Sequence, residues 1–178
     1  MLRGAEVTLV SGKTSIACPI FVKKIPVVTA EEMYREVVRE SPNQDIIIKA
    51  AAVADYRPKE VSTEKVKKSD NDCIIELERT RDILKYLGEH KKPEQVLCGF
   101  SMETKNMLGN SREKLQKKKL DMIVANNLKV SGAGFGGDTN VVTLITQEEE
   151  VSLPIMTKEE ASVHILNKTL ELWKAKQS

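Results

Sequence analysis

The stretch DIIIKAAAVADYRPKEVSTEKVKK (residues 45–68) combines a short apolar run with an unusual exit. Residues 45–50 are nearly continuously apolar, which is typical of a strand that helices cover on both faces. The chain then leaves through alanines, an aspartate and an Arg-Pro pair, where an ordinary turn would use Gly, Asn or Asp-Gly. Lysines follow at positions 59, 65, 67 and 68. The pattern predicts a buried strand whose end brings the backbone close to a ligand. The lysines are then expected to neutralise the negative charge of that ligand.

Strand and helix patterns alternate on both sides of this stretch. Capping boxes at 29–32 and 157–160 each predict the start of a helix, because a Thr hydroxyl and a Glu carboxylate satisfy exposed backbone amides there. The final helix is predicted to face the core with Val163, Leu166, Leu170 and Trp173. Strands are predicted at 6–10, 21–28, 45–50, 73–79, 95–100, 121–125, 141–146 and 151–154, and helices at 29–40, 82–91, 106–119 and from 157 onward. The alternation predicts one α/β domain over residues 1–178, Rossmann-like, with a mainly parallel sheet flanked by helices.

Composition narrows the function classes. The 178 residues suffice for one domain, and 40% are hydrophobic and 30% charged, as in globular proteins. The net charge of +2 argues against a general nucleic-acid binder. No apolar run is long enough for a membrane span, and nothing at the start is typical of a signal peptide. The cysteines at 18, 73 and 98 are far apart, so we expect reduced thiols in a cytoplasmic protein.

The carboxyl ends of the predicted strands indicate where a ligand binds, because open α/β sheets bind ligands there. Those ends fall at 11–12, 50–52, 99–101 and 126–127. Ala51 and Ala52 leave the backbone accessible to a ligand, although small residues also serve close packing. Asp55 fits a ribose or metal ligand, although it could instead pair with Arg57 or cap the turn.

The lysines permit two interpretations. Lys59, Lys65, Lys67 and Lys68 could form a mobile lid over a phosphate, or they could be a solvated hairpin. Lys114 and Lys118 stand at i, i+4 on one predicted helix face, which favours an anion between them, although a solvated helix face has the same pattern.

Other nucleotide-binding and catalytic patterns are missing or out of place. The glycine-rich segment 131–137 precedes a predicted strand and not a helix, so it does not fit a dinucleotide-binding turn. No phosphate-binding P-loop and no Tyr-x-x-x-Lys pair occur, which disfavours a Rossmann-type NAD(P)-dependent oxidoreductase, the alternative enzyme class. The isolated histidines, His90 and His164, do not indicate a hydrolytic triad or a metal site.

Several motifs resemble one family in order and spacing over nearly the whole chain. They are RGAEVTLVSG (3–12), AAVADYRP (51–58), EKVKK (64–68), RDIL (81–84), GFSMET (99–104) and KKKLDMIVANN (117–127). The chain resembles the synthetase domain of bacterial phosphopantothenoylcysteine synthetase, which is often fused to a flavin-dependent decarboxylase. The resemblance implies an amide ligase of coenzyme A biosynthesis that joins 4'-phosphopantothenate to L-cysteine. CTP is then a substrate, Mg²⁺ is required, and an acyl-cytidylate is the intermediate.

The resemblance also assigns site residues. It implies that Lys65 is catalytic and that Ala50, Ala51 and Ala52 contact the acyl-cytidylate, while the metal ligands stay unassigned. The family usually has Pro where Arg81 stands. The implied nucleotide-binding residues are Asp55, Lys65, Arg81, Asp82, Ile83, Leu84, Phe100, Lys114 and Lys118.

The family further implies a homodimer and an additional N-terminal unit. A hairpin of residues 61–66 and 73–79 is predicted to project from the sheet and to pack Val66, Ile75 and Leu77 against a two-fold mate. The family's first strand, glycine-rich turn and helix are absent before residue 3, so the strands at 6–10 and 45–50 are expected to have unpaired edges. A nucleotide-binding fragment without turnover is therefore the non-enzyme alternative.

Overall fold

The computed structural model describes residues 3–67, 74–103, 106–127 and 137–178. These residues fall into two compact units, residues 1–37 with 52–82 (the first unit) and residues 38–51 with 83–178 (the second unit). The strands are β1 (Thr8–Ser11), β2 (Lys23–Pro26), β3 (Ile46–Lys49), β4 (Tyr56–Pro58), β5 (Leu77–Arg79), β6 (Val96–Glu103), β7 (Met122–Asn127), β8 (Thr139–Asn140), β9 (Val142–Ile145), β10 (Glu150–Ser152) and β11 (Met156–Thr157). The helices are α1 (Ala30–Glu40), α2 (Ile83–His90), α3 (Met107–Lys117) and α4 (Lys158–Gln177), with a short 3-10 turn at Ser41–Asn43.

The second unit is built on a five-stranded sheet in the order β10-β9-β7-β6-β3. Strands β3, β6 and β7 are parallel, whereas β9 and β10 extend the sheet antiparallel. In β6 and β7, the residues from Val96 to Gly99 and from Met122 to Ala125 are buried. Burial of every residue, and not of alternate ones, means that both faces of these strands are covered. The predicted α/β sheet flanked by helices is confirmed.

Helix α4 packs on the sheet with a different face from the one predicted. Its buried residues are Ala161, Ile165 and Thr169, at intervals of four. Val163 and Leu166 of the predicted stripe are each 41% exposed. The prediction of the core face was therefore wrong by about one position, since small residues and a hydroxyl let the helix approach the sheet more closely than the bulkier stripe allows.

The first unit contains the parallel pair β1–β2, the antiparallel pair β4–β5, and α1 as far as Val37. The predicted capping box at the start of α1 is present: Glu32 N–H donates to the Thr29 hydroxyl at 3.1 Å, and Val28 and Thr29 donate to the Glu32 carboxylate. These backbone donors lower the pKa of Glu32. Within the described residues, β1 pairs only with β2 and β3 only with β6, which leaves each with the unpaired edge that was expected.

The hairpin of the first unit differs from the prediction in its first strand. Residues 61–66 form no strand, and Tyr56–Pro58 pairs with Leu77–Arg79 instead. Two exposed cross-strand ion pairs match this register, Arg57 with Glu78 at 2.7 Å and Lys59 with Glu76 at 3.1 Å. Residues 68–73, including the predicted turn, Lys68 and Cys73, lie outside the described residues.

A single carboxylate joins several elements at the amino ends of β6 and β7. The Asp121 carboxylate accepts a hydrogen bond from Leu97 N–H at 2.7 Å and ion-pairs with Lys91 after α2 and, at 2.9 Å, with Lys176 in α4. Asp121 and Lys91 side chains are only 13% and 14% exposed. Burial lowers the pKa of Lys91, and the hydrogen bond that Lys91 donates to Asp121 opposes that effect. The network therefore holds two helix ends to the sheet.

We predict that Asp121→Asn lowers the free energy of unfolding by about 3 kcal/mol, because two ammonium groups lose their counter-charge in a largely buried site. Urea unfolding at neutral pH measures the change. Glu113→Gln is the matched control, since its pair with Lys117 is exposed and such pairs contribute about 0.5 kcal/mol. Equal effects of the two substitutions would contradict the role given to Asp121.

Candidate functional site

The carboxyl ends of β3, β6 and β7 lie at one edge of the sheet in the second unit. The parallel register places Lys49 opposite Gly99, and Met102 opposite Asn126. Lys49 Nζ donates a hydrogen bond to the Ala51 carbonyl at 2.7 Å, in the segment that directly follows β3. Ala50 and Ala51 are exposed there. Their small side chains cover little of the backbone, although the Ala51 carbonyl already accepts from Lys49. That a ligand contacts these residues stays a prediction.

Phe100 and Lys114 meet beside β6. Lys118 lies toward the opposite edge of the sheet, because its carbonyl oxygen lies against Gly88 of α2 and it stands just before Asp121 at the amino end of β7. Lys114 Nζ donates to the Phe100 carbonyl oxygen at 3.2 Å. Lys118 follows Lys114 by one turn and caps α3, with a half-buried side chain. The predicted i, i+4 pair therefore lies on a helix that contacts β6, where Lys114 brings an ammonium group to Phe100. That the pair binds a nucleotide phosphate stays a prediction.

Ile83 and Leu84, two of the predicted nucleotide-binding residues, have apolar side chains buried in the core. Both side chains are 3% exposed and belong to the core. Leu84 also explains Gly99, because a Cβ at that glycine would lie 2.8 Å from Leu84 Cδ2. Ile83 begins α2, so these residues offer a ligand the backbone amides of a helix start and not their side chains.

The remaining predicted residues belong to the first unit. Thr80 makes two hydrogen bonds to the turn at Asp55. Its N–H donates to the Asp55 carbonyl at 3.0 Å, and its hydroxyl donates to the Ala54 carbonyl at 2.6 Å. Ala52 and Asp55 are exposed. Arg57 pairs with Glu78, so the alternative in which Asp55 serves mainly as its partner is wrong.

Arg81 is held by α1. Its guanidinium lies 4.8 Å from the centre of the Tyr34 ring, and its Nε is 3.6 Å from Glu31 Oε2. Asp82 follows it, exposed, immediately before α2. Arg81 thus contributes a cation–π contact within the first unit.

The lysine segment is exposed. Lys65 and Lys67 lie in a stretch without regular structure, whereas Lys59 is engaged with Glu76 of the hairpin. Lys65 is thus exposed on irregular backbone, and its role in a lid stays a prediction.

Polar residues at the end of β7 were not among the predicted site residues. Asn126 accepts a hydrogen bond from the Asn140 side chain at 2.9 Å, and Asn127 ends the strand. Both lie opposite the last residues of β6, Met102 and Glu103. The signal was available in the sequence, since two asparagines directly after an apolar strand place amide groups at the ligand edge.

Cys98 is not a candidate nucleophile. Burial in the core, with the nearby Asp121 charge, raises the pKa of its thiol to about 12. The thiol therefore stays neutral and unreactive. Cys18 is also a free thiol.

The carboxylate, histidine and cysteine side chains determine where Mg²⁺ could bind. Across the described ranges, no three His, Cys, Asp or Glu side chains are grouped to hold a metal ion. Protein sites for Mg²⁺ in nucleotide enzymes often use one or two carboxylates together with substrate phosphates, so the exposed Asp55 fits that type of site.

Among the described helices, none combines the length and apolar character that a membrane span requires.

The family profile described as the DNA/pantothenate metabolism flavoprotein C-terminal domain matches residues 1–172. The chain is 47% identical over 173 residues to the Coenzyme A biosynthesis bifunctional protein CoaBC of Bacillus subtilis, and the match covers 96% of this chain and 42% of that protein. The chain thus spans less than half the length of this bifunctional relative.

Solved structures show the same fold. A crystal structure of the C-terminal domain of CoaBC superposes with a TM-score of 0.81 at 42% identity, covering 98% of this chain and 79% of that chain. A Cab2 variant in complex with phosphopantothenate-cysteine has a TM-score of 0.68 at 18% identity, covering 88% of this chain and 55% of that one, and shares the fold. The chain therefore belongs to the family of DNA/pantothenate metabolism flavoprotein C-terminal domains.

Proposed function

We propose that this chain is the ligase domain that joins 4'-phosphopantothenate to L-cysteine, with CTP as the nucleotide. The observation that carries the proposal is the contact of Lys114 with the Phe100 carbonyl, in the strand next to the exposed alanines at the end of β3. The chain's similarity to CoaBC supports the same assignment. The complex of the Cab2 variant with phosphopantothenate-cysteine supports the choice of substrates.

The proposed reaction has two steps. The carboxylate of 4'-phosphopantothenate attacks the α-phosphate of CTP, which forms an acyl-cytidylate and releases pyrophosphate. The amine of cysteine then attacks the acyl carbon, the bond to CMP breaks, and the nitrogen loses a proton as the amide forms. Both steps need cations near phosphate oxygens that gain charge.

The proposed site residues have separate roles in these two steps. Backbone groups of Ala50, Ala51 and Ala52 bind the acyl-cytidylate and the base, since their side chains block nothing. Lys114 and Lys118 bind phosphate oxygens of the nucleotide, and an ammonium has three donors, so Lys114 can hold the Phe100 carbonyl as well.

In the first unit, Asp55 accepts ribose hydroxyls or holds Mg²⁺, which would supply further charge neutralisation on the phosphates. The segment with Lys65 closes over the departing pyrophosphate. Because Lys65 is exposed and in irregular structure, its charge acts on the substrate and not on the fold.

We predict that the chain releases pyrophosphate from CTP when 4'-phosphopantothenate is present, and much more slowly from ATP. Lys65→Gln should lower this rate by about 100-fold, which is the effect of losing one preorganised group at a developing charge, with little change in phosphopantothenate affinity. A coupled pyrophosphate assay measures the rate.

Lys59→Gln is the matched control, because that lysine is in the same region but its charge is engaged with Glu76. A rate for Lys65→Gln equal to that of the control would make Lys65 a solvated residue. CTP binding by the unmodified chain without pyrophosphate release would favour a nucleotide-binding domain without turnover.

We further propose that the hairpin side of the first unit forms a homodimer contact. Ile74, Ile75 and Leu77 are 86%, 65% and 59% exposed, and Val66 is 74% exposed. A cluster of exposed large apolar side chains is typical of an interaction surface. A two-fold contact buries the same patch on both chains at once.

Ile75→Asp combined with Leu77→Asp is expected to shift the chain from dimer to monomer in sedimentation velocity, because charges on both chains would face each other without water. Phe21→Asp is the control, since Phe21 is also in the first unit and 87% exposed. A dimer that persists in the doubly substituted chain, with an unchanged circular dichroism spectrum, would place the interface elsewhere.

A further inference from the structure

Two buried hydroxyl groups connect β6 to α3. The Ser101 and Ser111 Oγ atoms are 2.7 Å apart and hydrogen-bonded. Ser101 is 3% exposed and Ser111 is fully buried. The proposed reaction does not use either group, and apolar residues of similar size would fill the same space. The hydroxyl pair therefore has a role other than filling volume.

The pair lies between the proposed nucleotide-binding groups. Ser101 directly follows Phe100 in β6. Ser111 precedes Lys114 by three residues and Lys118 by seven, so the three side chains share one face of α3. Helix and strand are joined again on either side, because Lys114 donates to the Phe100 carbonyl at 3.2 Å and Asn110 donates to Glu103 at 3.2 Å.

A hydrogen bond between two short side chains fixes the helix more tightly than apolar contact does. Its length and angle are restricted to narrow ranges, so the bond adds to close packing a directional constraint on the height of α3 against β6. Sliding of α3 along β6 would move both lysines relative to Phe100. In a largely buried setting the bond is also stronger than it is in water.

We propose that Ser111, through Ser101, is a positioning residue that sets α3 at the height where Lys114 and Lys118 reach the nucleotide phosphates. This inference rests on the proposed function, in which those lysines bind CTP. Neither serine touches the nucleotide. Loss of this hydrogen bond is expected to weaken contacts to the phosphates most and contacts to cytidine least. The reason is that it displaces the lysines and leaves the groups that bind the base in place.

The test measures the dissociation constants of CTP and CMP by titration calorimetry for Ser111→Ala, Ser101→Ala and the double variant. Each single variant is expected to bind CTP about 3- to 10-fold more weakly, the range of a typical net hydrogen bond. CMP binding should change by less than about 2-fold, since CMP carries fewer phosphates. The double variant leaves no unpaired hydroxyl, so its thermal stability should recover while its CTP affinity stays low.

Thr169→Ala is the matched control, because it also removes a fully buried helical hydroxyl, one that bonds to the Leu166 carbonyl in α4. It should lower stability without changing CTP affinity. If the serine variants lose stability but keep the CTP affinity of the unmodified chain, the positioning role is refuted and the proposed function stands. If the unmodified chain binds no CTP, the proposed function fails and this inference fails with it. If one single variant does not fold, the other and the double variant decide the outcome.

Discussion

Strands β6 and β7 run side by side with Val96–Gly99 and Met122–Ala125 buried on both faces. Their backbone groups are satisfied by the parallel ladder, and their side chains are enclosed by neighbouring strands and helices. Ligand chemistry is therefore excluded from the middle of the sheet. Exposed or half-buried groups begin beyond these buried segments, as at Ala50 after β3, Phe100 in β6 and Asn126 in β7.

The two ends of these strands differ in chemistry. At the amino end, the Asp121 carboxylate binds two ammonium groups, those of Lys91 and Lys176, together with the Leu97 amide. On the other side, Lys114 donates to the Phe100 carbonyl. A lysine beside the edge with small residues suits an anionic ligand, whereas the ion-paired cluster at the opposite edge stabilises the fold.

The sequence predicts best where one local signal dominates. The capping boxes and the strand–helix alternation each depend on neighbouring residues, and both are confirmed. The apolar run at 45–50 forms β3, but its predicted burial was wrong, because no residue of β3 is buried and Ile48 is 38% exposed. The hairpin was misplaced because Tyr56–Pro58 pairs with Leu77–Arg79, about twenty residues away in sequence, and such a pairing leaves no local signal. The face of α4 was misplaced because Val163 and Ile165 fit helical periodicity equally well, and only the sheet's shape selects between them. Asn126 shows that short polar pairs after a strand carry more information than the prediction used.

The central claim is that the ligand edge activates a carboxylate by transferring cytidylate to it. The most direct measurement incubates the chain with CTP, L-cysteine and 4'-phosphopantothenate whose carboxylate carries a heavy-oxygen label, and locates the label by mass spectrometry. Attack of the carboxylate on the α-phosphate predicts one labelled oxygen in the phosphate of CMP and none in pyrophosphate. Label in inorganic phosphate, with CDP as the nucleotide product, would contradict the account, because the carboxylate would then have attacked the terminal phosphate.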